Sequence, residues 1–183
     1  MNRFGERHDG DGVTVRAVRH IRGAGASSAL LAMDSARADG VLFYIQEGFA
    51  DVLVSNAEVK ALVATVKTLV AAPGVGYFLE FLEAWLMLDY ATAAFAEASA
   101  PDNLVIRYAS TTGVIASQTI EATGFIDQAA DTYTKAIPCV DPIVTGAAIA
   151  NATLVLHNIS TDYITGGGVL RVRTHYRIHQ VLA

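Results

Sequence analysis

Cysteine is almost missing from this chain: Cys139 is the only one among 183 residues. An intrachain disulfide framework and a cysteine-rich zinc site are therefore excluded. Cys139 reads as a small, partly buried apolar residue, and no neighbouring pattern marks a catalytic thiol. Charge is scarce too, at 17% of residues against 52% hydrophobic, which excludes a disordered polymer. A membrane span needs about 20 consecutive apolar residues, and none is present. The longest uncharged stretch, Pro142–Thr161, carries Asn151, His157, Asn158 and β-branched residues that favour strands. The charged N-terminus lacks the apolar core of a secretory signal, so the Asn-x-Ser/Thr matches at Asn151 and Asn158 need no glycan. What remains is an apolar chain of one-domain length with few charges to cover it, and such a chain is expected to hide surface against copies of itself or a partner.

The net charge of -5 averages three unlike regions. Residues 1–37 carry a net +2 with six arginines, residues 38–170 a net -10, and the last thirteen a net +3. Two readings stand: ordinary solvated charge, or an arginine-bearing arm that docks on an acidic neighbouring surface. Nucleic acid is a weaker third, because Glu6, Asp9 and Asp11 share the arm. Glycines at 5, 10, 12, 23 and 25 give residues 1–30 a linker-like composition, and within them Val13-Thr14-Val15-Arg16-Ala17-Val18 alternates enough to form a strand against a partner. The chain is thus expected to divide into an arm, 1–49, and a folded domain, 50–183.

In that domain short hydrophobic runs recur at 52–55, 61–70, 77–90, 103–109, 114–125, 132–137, 143–149, 152–157 and 169–182. Turn residues such as Pro73-Gly74, Pro101-Asp102 and Gly166-Gly167-Gly168 separate them. This spacing predicts an all-β sandwich or barrel. Residues 77–90 read as a buried strand because Tyr, Phe, Trp and Leu dominate. Alanine-rich 91–100 is open between helix, which propensity prefers, and loop. The clearest pattern is the last: Leu170, Val172, Thr174, Tyr176 and Ile178 alternate with Arg171, Arg173, His175, Arg177 and His179. That predicts a half-buried strand, apolar inward and basic outward.

No chemistry-bearing motif accompanies these strands. His175 and His179 lie about 13 Å apart on a strand, too far to share an ion, and no His-x-His pair of the cupin kind occurs. His157, inside an apolar run, reads as structural. His8-Asp9-Gly10-Asp11-Gly12 lacks the later ligands of a calcium loop. No phosphate loop, dinucleotide fingerprint or nucleophile elbow appears. On a regular strand Glu80 and Glu83 face opposite sides, which leaves no glycosidase pair, and Asp127 and Asp131 read as turn residues. The expectation is no catalytic residue, no metal and no cofactor.

From about residue 60 to 179 a succession of segments resembles a known group. It runs through Thr68-Leu69-Val70-Ala71-Ala72-Pro73-Gly74, Leu88-Asp89-Tyr90, Asn103-Leu104-Val105-Ile106-Arg107-Tyr108 and Ile120-Glu121-Ala122-Thr123-Gly124-Phe125. It continues with Asp131-Thr132-Tyr133, Ala152-Thr153-Leu154-Val155-Leu156-His157-Asn158, Leu170-Arg171-Val172-Arg173 and Tyr176-Arg177. These strand-and-turn patterns resemble the capsid decoration (cement) proteins and related jelly-roll virion modules of tailed bacteriophages. The resemblance implies a jelly-roll-like antiparallel β-sandwich, located on the capsid surface after assembly in the host cytoplasm. It implies two partners, the major capsid protein and further copies of itself as a trimer, and neither membrane nor nucleic acid. Arg3, Arg7, Arg16, Arg19 and Arg22 are then the candidates for capsid docking, beside the basic strand face. A tail-fibre or receptor-binding jelly-roll module is the alternative, although no fibre repeat precedes the strands.

Overall fold

A computed structural model describes residues 45–98, 103–140 and 145–180. These residues build an antiparallel all-β architecture, with only two four-residue helices among them. The largest sheet has the order β1-β9-β3-β6: β1 (Ile45–Val54), β9 (Val169–Gln180), β3 (Tyr77–Asp89) and β6 (Thr132–Ala136). A second sheet is ordered β2-β7-β5, from β2 (Lys67–Val70), β7 (Leu154–Asn158) and β5 (Leu104–Tyr108). A third pairs β4 (Ala96–Glu97) with β8 (Tyr163–Thr165). β1 begins five residues before the expected domain start at 50, so the sheet takes up 45–49.

One hydrophobic cluster joins the two larger sheets. Leu79, Phe81, Leu86, Leu88, Leu170 and Val172 from the first meet Leu104, Ile106, Leu154 and Leu156 from the second, all buried. Burying a side chain of this kind contributes about 1.5–3 kcal/mol. A hydrogen bond from Tyr108 Oη to the Leu79 carbonyl, 2.7 Å, ties β5 to β3 across the core, and burial pushes that phenol up to about 12.

β9 follows its alternation: Leu170, Val172 and Thr174 are buried, while Arg171 and Arg173 are exposed. β3 alternates as well, with one break. Its ladder to β9 shifts register between Phe81 and Glu83, so the inward positions run Leu79, Phe81, then Ala84, Leu86, Leu88. A bulge of this kind inserts one residue and changes the parity of the strand beyond it. Glu80 and Glu83 therefore share the outward face, contrary to the regular-strand expectation.

Other segments differ from their local propensities. Residues 91–98 contain no helix; they bend and enter β4, with Phe95 buried edge-on against Tyr163 at 5.9 Å. Packing of that one ring outweighs the alanine-rich composition around it. Of the 143–149 run, 146–149 form α2 (Gly146–Ile149), a single turn rather than a strand. The glycine turn before β9 is as expected: Gly166 has φ +131, and a Cβ there would overlap the Phe95 ring. A capping box starts α1 (Asn56–Val59), where the Glu58 carboxylate accepts from Ser55 N at 2.8 Å and pairs with Lys67. The Lys67 ammonium, then the Ser55 groups, hold Glu58 down at about 2. No helix among the described residues is long and apolar enough to cross a membrane.

Candidate functional site

The outward face of the four-stranded sheet carries the densest array of functional side chains among the described residues. Its middle column is the basic row of β9. Register places β1 on one side, pairing Glu47 with Arg177, Phe49 with His175, Asp51 with Arg173 and Leu53 with Arg171. β3 lies on the other, with Phe78 opposite His179, Glu80 opposite Arg177, Trp85 opposite Arg173 and Met87 opposite Arg171. β6 adds Tyr133 and Lys135.

Each base in the column has a carboxylate beside it. Arg171 meets Asp89 at 3.5 Å and Arg173 meets Asp51 at 3.7 Å. His175 meets Glu47 at 2.5 Å and His179 meets Glu80 at 2.7 Å. Arg177 sits between those two acids, 3.3 Å from Glu47 and 3.9 Å from Glu80. The hydrogen bond from His175, with help from Arg177, holds the Glu47 carboxyl below its usual range. Lys135 of β6 pairs with Glu83 at 2.5 Å. The strand that is basic by sequence is thus the positive core of a locally balanced lattice. Exposed pairs of this kind contribute only about 0–1 kcal/mol each; their consequence is electrostatic, because the column presents no run of uncompensated positive charge.

Aromatic rings occupy the spaces between charges. Phe49 stacks on His175 with centroids 4.3 Å apart, and Phe78 on His179 at 5.0 Å. The Arg173 guanidinium lies 5.2 Å from the Phe49 centroid, and Lys135 Nζ 5.7 Å from that of Trp85. Phe49, Trp85 and Tyr133 nevertheless remain 54%, 46% and 66% exposed, with Leu53 beside them at 49%. The sequence pattern holds one signal for these residues. Once Ala84, Leu86 and Leu88 are assigned inward, Trp85 stands on the same parity as Glu83 and Asp89, which is an unusual place for a tryptophan. Phe49 and Tyr133 have no such local mark.

The other candidates fall elsewhere. Arg3, Arg7, Arg16, Arg19 and Arg22 lie outside the described residues. Glu80 and Glu83, although on one face, are engaged by His179 and Lys135 respectively. Asp127 accepts from Gly124 N three residues away, as turn residues do, whereas Asp131 accepts from Tyr90 N, 41 residues away, and ties its loop to the end of β3. No group of three His, Cys, Asp or Glu side chains that would hold a metal ion occurs among the described residues.

His157 is 7% exposed, one residue before the end of β7. Burial, and then the Arg107 charge, push its protonation below the usual 6.5, while a hydrogen bond to the Val63 backbone acts the other way. The unfolded chain therefore takes up the proton first. Stability is expected to be full above about pH 6.5 and to decline as the pH falls through the folded-state value. Glu58 adds a second, acidic loss between about 4.5 and 2, because its carboxylate is the form the fold favours. Urea midpoints from pH 8 to pH 3 check this. In His157→Gln the decline just below pH 6.5 should vanish while the acidic one remains.

No protein family model matches this sequence, and no curated protein matches it. Among solved structures the chain is similar to one described as the cyanophage Pam1 capsid asymmetric unit, with a TM-score of 0.42 and 15% identity. That similarity covers 88% of this chain and 98% of that one.

Proposed function

We propose that the protein is a non-enzymatic structural component of a tailed-phage virion, a jelly-roll-type decoration protein that binds and stabilises the capsid. The observation that carries this reading is the outward sheet face. Its charges are matched among themselves, and between them stand Phe49, Leu53, Trp85 and Tyr133, all substantially exposed. Exposed aromatic residues set among satisfied polar groups are the composition of a contact surface between proteins. A catalytic site instead gathers a nucleophile, a base and stabilising donors around a concave pocket. The strand-and-turn resemblance to decoration proteins supports the same assignment.

In this account the sheet face joins copies of the chain, as a trimer. The N-terminal arginines Arg3, Arg7, Arg19 and Arg22, with Arg16, bring the arm to the acidic surface of the major capsid protein. A Trp85→Ala variant tests the first half. Removing an interface tryptophan commonly costs about 2 kcal/mol or more, so the association constant should fall at least tenfold in sedimentation equilibrium. The melting temperature should change little, because Trp85 lies outside the core. Unchanged association would contradict the face as the contact between copies.

A further inference from the structure

β1 is an edge strand that lacks three of the devices that usually protect an edge: proline, lysine and a bulge. Its ten residues include no proline and no lysine, and its ladder to β9 runs from Ile45 to Val54 without a bulge. The opposite row of backbone N–H and C=O groups is thus straight, and among the described residues no strand pairs with it. Long, regular edges of this kind are templates for a further strand. The other edge of the sheet, β6, has only five residues and carries Lys135.

The side chains of β1 specify what fits beside it. Outward it presents Glu47, Phe49 and Asp51, a carboxylate on each side of an aromatic ring; the Asp51 side chain is 69% exposed. Inward it presents Gly48, Ala50 and Val52, small or aliphatic and half-buried. A second β1 is a poor match, because antiparallel pairing centred on Phe49 would set Glu47 against Asp51 of the other copy. Like charges directly opposite each other are unfavourable. The fitting strand has small aliphatic residues on one parity and a single cation at the centre of the other.

The chain contains such a strand in its own N-terminal segment: Val13, Val15 and Ala17 on one parity, Thr14, Arg16 and Val18 on the other. We infer that Val13–Val18 adds antiparallel to the free edge of β1 in the same chain, with Arg16 opposite Phe49 and between Glu47 and Asp51. In this register Val15 lies beside Ala50 and Ala17 beside Gly48, while Thr14 faces Asp51 and Val18 faces Glu47. Val18 then ends next to the start of β1, so residues 19–44 close a loop whose ends already meet. The entropy cost of closing a loop rises only slowly with its length. Diagonal neighbours on a sheet face are about 7–8 Å apart, within reach of an arginine side chain. The pairing withdraws Arg16 from the capsid-docking set and fixes the root of the arm, leaving Arg3, Arg7, Arg19 and Arg22 on either side of the new strand. It does not depend on the capsid proposal, since its test needs only the isolated protein.

Hydrogen exchange on the full chain reads this directly. The amides of residues 13–18, and the β1 amides that point away from β9, should exchange at least a hundredfold more slowly than those of residues 1–10. In Arg16→Glu those same amides should speed up at least tenfold while the β9-facing amides of β1 stay protected. Full protection in Arg16→Glu would remove the charge argument and overturn the register. As a second reading, in a Cys139→Ser background the pair Arg16→Cys and Phe49→Cys should form a disulfide within one chain. Ala17→Cys with Phe49→Cys should not, because those side chains leave opposite faces. Free exchange at 13–18, equal cross-linking of the two pairs, or a cross-link joining two chains in dilute solution would each overturn the assignment.

Discussion

Leu170→Ala is expected to destabilise the fold by about 2–5 kcal/mol, the range for truncating a buried leucine. Leu170 is fully buried on β9, where register sets it opposite Val54 on one side and Leu88 on the other. Its loss leaves a cavity between the strands, and neighbours held by the ladders on both sides cannot close it fully. Arg171→Ala, one residue along, should change stability by less than about 1 kcal/mol, since its pairing with Asp89 is exposed at 3.5 Å. Urea denaturation of both variants measures the difference. A small loss at Leu170 together with a large one at Arg171 would reverse the inward and outward faces, and with them the whole proposed contact surface.

Binding to shells is where the second large effect is expected. Removing residues 1–30 takes away five arginines and leaves the described strands whole. Modest contacts repeated over a symmetric oligomer multiply one another, so losing the arm from every copy should lower apparent affinity by about 10²–10⁴-fold. Co-sedimentation of the purified protein with undecorated shells reads this out. Affinity of the whole chain should also fall with added salt, because attraction between exposed charges more than about 10 Å apart is largely screened at 0.1 M. Full binding by the shortened chain would sink the docking role of the arm. It would leave the sheet face as the surface that meets the shell.

The legibility of this molecule from its sequence divides along a physical line. Period-two alternation is a local property, so β9 could be read residue by residue, and the aromatic density of 77–90 marked β3 almost to its ends. The all-β, antiparallel character came from the spacing of runs and turns. Effects that depend on distant partners were not legible. The β3 bulge at Phe81/Glu83 has no proline or glycine to announce it, and it alone puts Glu80 and Glu83 on one face. Residues 91–98 bend instead of coiling because Phe95 packs on Tyr163, a contact far along the chain. The basic strand had the same limit. Its arginines and histidines were visible at once, but their meaning depended on Glu47 and Asp51, more than a hundred residues away on β1. A face that reads as a free positive surface in sequence is a matched lattice in the fold, and the unmatched feature is its aromatic content.

A cryo-electron reconstruction of the parent particle tests the central claim most directly. The expected result is density on the outer shell into which the four-stranded sheet fits, with copies meeting through the face that carries Phe49, Trp85 and Tyr133. Density for this chain at the tail tip, or its absence from the particle, would contradict the capsid assignment.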